Sequence, residues 1–231
     1  MGRQLHCVAL AADYDGTIAH HGAVDDTTYR ALERFKQTGR RLIVVTGRDL
    51  PDLKRVFPKM PLFDRVVAEN GAIIYDPATG QENVIAPPPP RAFVEALKQR
   101  NVTPLSVGRS IVATWEPNGA TVREVIEDLG LGLQIIFNKG AVMVLPSGIN
   151  KATGLAAALR ELDLAPANVI GVGDAENDHA FLRACGLAAA VANALPSLKA
   201  DADIELNGDH GAGVAELIEM IIRSDTGIVA Q

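Results

Sequence analysis

Apolar residues fall along this chain in short blocks closed by polar residues, and amphipathic stretches separate the blocks. Val8–Ala12 carries no polar residue, as expected of a strand covered on both faces, and it ends in Asp13-Tyr14-Asp15-Gly16-Thr17, where Gly16 stops it. Asp25-Asp26-Thr27 supplies capping residues for a helix to about Thr38, and Gly39 ends that helix. Arg41–Val45 is a second buried block, closed by Thr46-Gly47-Arg48, and a helix over Leu50 to about Phe57 follows. Arg65–Ala68 reads as a short strand ending in Glu69-Asn70-Gly71-Ala72. Ile73–Tyr75 then pairs with Val84-Ile85 across a turn at Asp76–Gly80, as a hairpin. Strands alternating with helices indicate βαβ units and a parallel sheet.

The pattern breaks at Pro87–Pro90, which continues neither a ladder nor a helix and reads as a stiff linker. Up to Asn150 the expected order is helix (Ala92–Arg100), strands (Thr103–Val107 and Ser110–Trp115), helix (Gly119–Leu129), strands (Leu133–Phe137 and Ala141–Leu145). Helix-strand-strand repeated twice is an antiparallel α+β unit, so residues 87–150 are expected as an inserted domain and 1–86 with 151–231 as a discontinuous core. The first pattern resumes with a helix over Ala152–Leu162 and a buried strand, Asn168–Val172, ending in Gly173-Asp174. A helix over Ala175–Ala184, a strand at Leu187–Val191, a short helix near Pro196–Lys199, a strand at Asp203–Glu205 and a helix over Val214–Arg223 complete it. Ser224–Gln231 carries no packing signal.

Composition narrows the function classes. A hydrophobic share of 48% suffices for a packed core, and a net charge of -6 argues against nucleic-acid binding, which needs a basic face. Cys7 and Cys185 sit in apolar surroundings and read as buried free thiols, which fits a reducing cytoplasm. Met1–His6 has no apolar signal region and no apolar run reaches the length of a membrane span, so no membrane partner is expected. The adjacent His20-His21 read as exposed loop residues, not as a metal pair. Nothing in the periodicity selects an oligomeric state.

Asp13 and Asp15, Thr46 and Asp174 all lie where strands end, the edge at which open α/β sheets bind ligands. Lys151 opens a helix, and Asp178, four residues after Asp174, is expected on the same helical face. Clustered carboxylates need a hard cation, and Mg²⁺ takes carboxylates, a carbonyl and waters. With a lysine nearby, the site suits a phosphoryl group.

Four motifs in order, Asp13-Tyr14-Asp15-Gly16-Thr17, Val45-Thr46-Gly47-Arg48, Asn150-Lys151 and Gly173–Asp178, resemble those of the haloacid dehalogenase (HAD) superfamily across essentially the whole chain. Glu69-Asn70-Gly71-Ala72 and the long insertion resemble the Cof-like, or IIB, branch with a type-two (C2B) cap. The resemblance implies a Rossmann-like α/β core, with helices flanking a parallel sheet, and a small αββαββ cap. It implies a Mg²⁺-dependent phosphatase for a small phosphorylated metabolite, of the sugar phosphate or phosphoglycolate class.

By that resemblance, Asp13 attacks phosphorus and Asp15 serves as acid and then base. Thr46 and Lys151 hold the phosphoryl oxygens, with Gly47, Arg48 and Asn177 near the substrate. Asp13, the Asp15 carbonyl and Asp174 hold Mg²⁺, with Asp178 behind them. Asp15 speaks for phosphoryl transfer, since dehalogenases of this fold lack an acid there. A phosphomutase would need cap cations denser than Arg109, Arg123 and Lys139, and a non-catalytic module would lack the nucleophile or the acid. Gly108-Arg109-Ser110 and Asn138-Lys139-Gly140 are candidate cap contacts. Arg48 and Glu69 remain open between substrate and structural roles, and Trp115 is expected in packing.

Overall fold

A computed structural model describes residues 4–224 and 228–229. In chain order the core elements before the insertion are β1 (Gln4–Leu5), β2 (Ala9–Asp13), α1 (Asp26–Gln37), β3 (Arg41–Val45), α2 (Leu50–Val56), β4 (Arg65–Ala68), β5 (Ile73–Tyr75) and β6 (Glu82–Val84). The insertion contributes α3 (Arg91–Gln99), β7 (Ser106–Val107), β8 (Val112–Trp115), α4 (Gly119–Asp128), β9 (Leu133–Asn138) and β10 (Ala141–Pro146). The core resumes with α5 (Lys151–Glu161), β11 (Val169–Gly173), α6 (His179–Ala184), β12 (Leu187–Ala190), α7 (Pro196–Asp201), β13 (Ile204–Glu205), α8 (His210–Arg223) and β14 (Ile228–Val229).

Eight strands form one sheet in the order β13-β12-β11-β2-β3-β4-β5-β6. The ladder is parallel from β13 to β4 and antiparallel through β5 and β6, so the expected hairpin closes an otherwise parallel sheet. Every residue of β2, β11 and β12 is buried, as strands between two helical layers must be. Asp25 caps α1 by accepting from the Thr27 and Thr28 N–H groups at 2.8 and 2.9 Å. Close approach of α5 to the 69–71 turn requires Gly154, whose added Cβ would lie 2.5 Å from the Gly71 Cα.

The insertion forms a separate antiparallel sheet in the order β7-β8-β10-β9. Period-two alternation splits β10: Val142 and Val144 join Phe93, Leu97, Val122 and Val125 under α3 and α4, whereas Met143 and Leu145 join the main core. The cap sheet thus turns one face to its own helices and the other to the core.

Several boundaries differ from expectation for identifiable reasons. β7 shrinks to Ser106–Val107, since Pro104 has no N–H for a ladder. β8 starts at Val112 instead of Ser110, because the Ser110 and Ile111 N–H groups are taken by the Glu69 carboxylate. α8 begins at His210, four residues before Val214. Its glycines hide the first turn from the apolar pattern, and they let it lie against α1, where a Cβ on Gly211 would sit 2.0 Å from Thr28 Oγ1. Within the segment that carries no packing signal, Ile228–Val229 pairs antiparallel with Gln4–Leu5, and the rest beyond Ser224 lies outside the described residues, as do Met1–Arg3.

Candidate active site

Adjacent strands β11, β2 and β3 end side by side, and their C-terminal ends carry Asp174, Asp13 and Thr46. All three side chains are buried, together with Lys151, Asp178 and Asn177. Lys151 is aimed there by the capping box that opens α5: Asn150 accepts from the Ala152 and Thr153 N–H groups at 2.9 and 3.1 Å, and Thr153 Oγ1 accepts from the Asn150 N–H at 3.0 Å. Its ammonium donates to Asp13 Oδ1 at 2.5 Å and to Asp178 Oδ1 at 2.6 Å.

Asp178 reaches the site differently from the sequence expectation of one shared helical face. Residues Glu176–Asp178 form a single 3₁₀ turn and α6 starts only at His179. Asp178 Oδ2 instead folds back to accept from the Asp174 and Ala175 N–H groups at 2.8 and 3.0 Å. That carboxylate both fixes the loop and faces Lys151.

Burial and then the neighbouring Asp178 charge push the Asp13 carboxyl well above its ordinary range, with Lys151 opposing them. Burial works against the Lys151 ammonium, but Asp13 and Asp178 outweigh it and hold the lysine protonated to above its ordinary value. Three buried carboxyl groups therefore share one buried ammonium, more acid than a single cation can balance.

One oxygen each from Asp13, Asp174 and Asp178 lies within 4.8 Å of the others, the group of metal-ligating type found among the described residues. The donor set fits a hard dication in both charge and oxygen chemistry. Gly16, at φ 87°, makes room for the Asp174 carboxylate: a Cβ there would lie 2.2 Å from Asp174 Oδ2. Thr17 Oγ1 donates to the other Asp174 oxygen at 2.9 Å, which leaves Oδ2 for a cation.

Around this cluster the remaining expected residues fall as follows. Arg48 grips Asp15 with two donors at 2.6 and 2.7 Å and reaches Asp52 at 2.5 Å, so its contacts are carboxylates of the core. Gly47 lies against Asn177, whose amide donates to Asn70 Oδ1 at 3.0 Å. The buried Asn70 Nδ2 and Asn177 Oδ1 have no protein partner, an arrangement that leaves a donor and an acceptor for a ligand. Asn70 carried no role in the sequence reading; its signal was the Asn-Gly pair after β4, where Asn70 itself takes a φ of 53°. His20 and His21 are exposed, as expected, and stack on each other with ring centroids 4.1 Å apart, while His20 also lies tilted against His210 at 4.3 Å. Cys7 is buried and Cys185 partly so, both free, and burial pushes their thiols up to about 11 and about 12.

The cap faces the site across a cleft of about 460 Å³, lined by Asp13, Asp15 and Arg48 below and by Trp115, Lys139 and Met143 above. Trp115 was expected in packing; instead it is 53% exposed and looks into the cleft, because it shares the core-facing parity of Ala113 and Met143. Lys139 ion-pairs with Asp174. Arg109 pairs with Glu82, and Arg123 lines a separate groove on the cap. Glu69 is fully buried and structural: it accepts the Arg109, Ser110 and Ile111 N–H groups at 2.9, 2.7 and 3.0 Å, fastening a cap turn to the core. Among the described residues no helix is long and apolar enough to cross a membrane.

Comparison with known proteins places this geometry. The chain is 27% identical to phosphoglycolate phosphatase 2 of Saccharolobus solfataricus, over 95% of this chain and 94% of that one. It is 28% identical to the phosphoglycolate phosphatase of Methanothermobacter thermautotrophicus, over 91% and 96%. Among solved structures, a haloacid dehalogenase-like hydrolase from Bacteroides thetaiotaomicron superposes with a TM-score of 0.78 at 19% identity, covering 93% of this chain and 99% of that one. A sugar phosphatase of HAD subclass IIB superposes with a TM-score of 0.74 at 18% identity, covering 91% and 97%. The model of the haloacid dehalogenase-like hydrolases matches residues 10–117 and 121–218, and the chain belongs to that family.

Proposed function

We propose that the protein is a Mg²⁺-dependent phosphatase acting on a small phosphate monoester through an aspartyl-phosphate on Asp13. The observation that carries this reading is the buried cluster in which Lys151 bridges Asp13 and Asp178 with Asp174 alongside, at the carboxyl edge of a parallel sheet. Asp13, the Asp15 backbone carbonyl and Asp174 would hold Mg²⁺, with Asp178 behind them, and the ion would neutralise charge on the transferring phosphoryl group.

The chain's own residues account for the rest. An Asp13 oxygen forms a bond to phosphorus as the bond from phosphorus to the leaving oxygen breaks, and Asp15 delivers a proton to that oxygen. Asp15, now a carboxylate, takes a proton from water, which attacks phosphorus and frees Asp13. The balance is monoester plus water to alcohol plus phosphate. Thr46, Lys151 and Asn177 hold phosphoryl oxygens, Gly47 leaves room for them, and Arg48 fixes Asp15 through its paired hydrogen bonds. Residues 87–150 act as a C2B-type cap of the Cof-like kind over a core of 1–86 and 151–231, excluding water and contacting the leaving group.

The relatives named as phosphoglycolate phosphatases, and the single cap cation at the cleft, favour a phosphoglycolate-like ester. A mutase has less support, since Arg109 and Arg123 are engaged elsewhere. Phosphate release from a panel of monoesters, with Mg²⁺ and with chelator, tests the reading. Metal-dependent release led by 2-phosphoglycolate is expected. Conversion of a hexose 1-phosphate to its 6-phosphate without free phosphate would replace the phosphatase by a mutase, and no turnover by folded protein would leave a non-catalytic module.

A further inference from the structure

Lys139 is the one cap side chain that makes an ion pair with the carboxylate cluster among the described residues. It sits at the tip of the turn between β9 and β10, at φ 46°, followed by Gly140 at φ 86°, so the backbone bends sharply and projects the side chain into the cleft. Its ammonium meets Asp174 Oδ2, the oxygen that Thr17 leaves free, and its backbone N–H donates to Glu176 at 3.2 Å. Two contacts thus tie the cap turn to the 174–178 loop. Unlike Lys151, which is buried and bonded twice, Lys139 is 44% exposed at its side chain and free to leave.

A metal ion held by the cluster through Asp174 would bring a second cation against the Lys139 ammonium, and two cations that close repel each other. The acid that Lys151 does not balance is met either by a dication or, in part, by Lys139. We propose that Lys139 is a cap-borne cation that competes with the metal for Asp174, so that metal binding releases the cap turn from the core and cap docking weakens metal binding. Such coupling is reciprocal by thermodynamic necessity. Released from Asp174 but still over the cleft, the ammonium is placed to meet an anionic group on the leaving side of the ester. The inference rests on the metal reading of the cluster.

Trp115, the only tryptophan, provides a readout, because the turn passes over it: a Cβ on Gly140 would lie 3.9 Å from its ring. The experiment titrates Mg²⁺ into chelator-stripped full-length protein, wild type, Lys139→Met and Lys139→Arg, by calorimetry and by Trp115 fluorescence. The methionine variant is expected to bind Mg²⁺ about tenfold more tightly, within the usual range of coupling, with the arginine variant close to wild type. Trp115 fluorescence is expected to shift with the metal isotherm in wild type and to be shifted already in metal-free Lys139→Met. Equal affinity for wild type and Lys139→Met would overturn the competition while leaving the metal centre intact. Tighter binding with a wild-type Trp115 signal indifferent to metal would reduce Lys139 to a distant charge and overturn it too. Failure of all three proteins to bind Mg²⁺ would overturn both this inference and the metal reading beneath it.

Discussion

The two sheets present opposite chemistry to the same cleft. From the core come Asp13, Asp15 and Arg48, ionic and placed by the ends of adjacent strands and the loops that follow them. From the cap come Ala113, Trp115, Ala141 and Met143, a largely apolar face, with one cation on an exposed turn. Position on the core side is set by backbone: a parallel ladder fixes where each strand stops, and caps fix where the loops turn. On the cap side it is set by side chains on a sheet whose own core would survive their replacement. On the proposed function, the reaction is held by the first arrangement and the leaving group is met by the second.

Breaking the core side is expected to have the largest effect. Lys151→Met leaves Asp13 and Asp178 buried without their shared cation, which should cost about 3–5 kcal/mol in chelator and abolish turnover. Urea unfolding at neutral pH measures the first and phosphate release the second. A variant as stable as wild type would mean that the ammonium is not what makes the carboxylates tolerable there.

Glu69 joins the two regions, so Glu69→Ala addresses their coupling. Three backbone N–H groups lose their acceptor, at a cost of about 1–3 kcal/mol. The cap turn should loosen, raising KM more than it lowers kcat, because the core cluster is untouched. A fall in kcat alone would place Glu69 with the chemistry instead.

A core ion pair remote from the cleft supplies the smallest effect. Burial opposes ionisation of Asp64, but Lys36, the Leu42 N–H and Arg41 prevail and hold its carboxyl below the ordinary range. A group with a depressed folded-state pKa stabilises at pH above its unfolded value near 4 and loses that contribution as pH falls through the folded one. Asp64→Asn should therefore cost about 1 kcal/mol at pH 7 and progressively less below about pH 4, with KM unchanged. Paired urea titrations at the two pH values check the sign.

The sequence carried the core well because its signals are local. Apolar blocks ending in Asp13, Thr46 and Asp174 marked both the strands and their ligand-facing ends, and Lys151 was legible at the start of a helix, although the Asn150–Thr153 capping box that aims it was not read. Signals that depend on a distant partner were silent. Nothing near Glu69 says that its carboxylate will take N–H groups some forty residues away, and the same bond shortens β8 at its start. Asp178 has the spacing for a helical face, yet the free N–H groups of Asp174 and Ala175 draw it into a tighter turn. Trp115 shows alternation clearly, but which parity faces the cleft is decided by how α3 and α4 cover the other side. Lys139 was visible as a turn residue, and its meeting with Asp174 is a fact of how cap and core dock.

The most direct test of the account is the fate of Asp13 during turnover. Rapid quenching of the Asp15→Asn variant with p-nitrophenyl phosphate, whose leaving group departs without a proton, and Mg²⁺, followed by peptide mass analysis, should show a phosphoryl group on the peptide holding Asp13, because the water step then lacks its base. Wild-type turnover with no phosphorylated peptide in the variant, and with Asp13→Asn still active, would contradict the nucleophilic role of Asp13 and with it the mechanism built on the cluster.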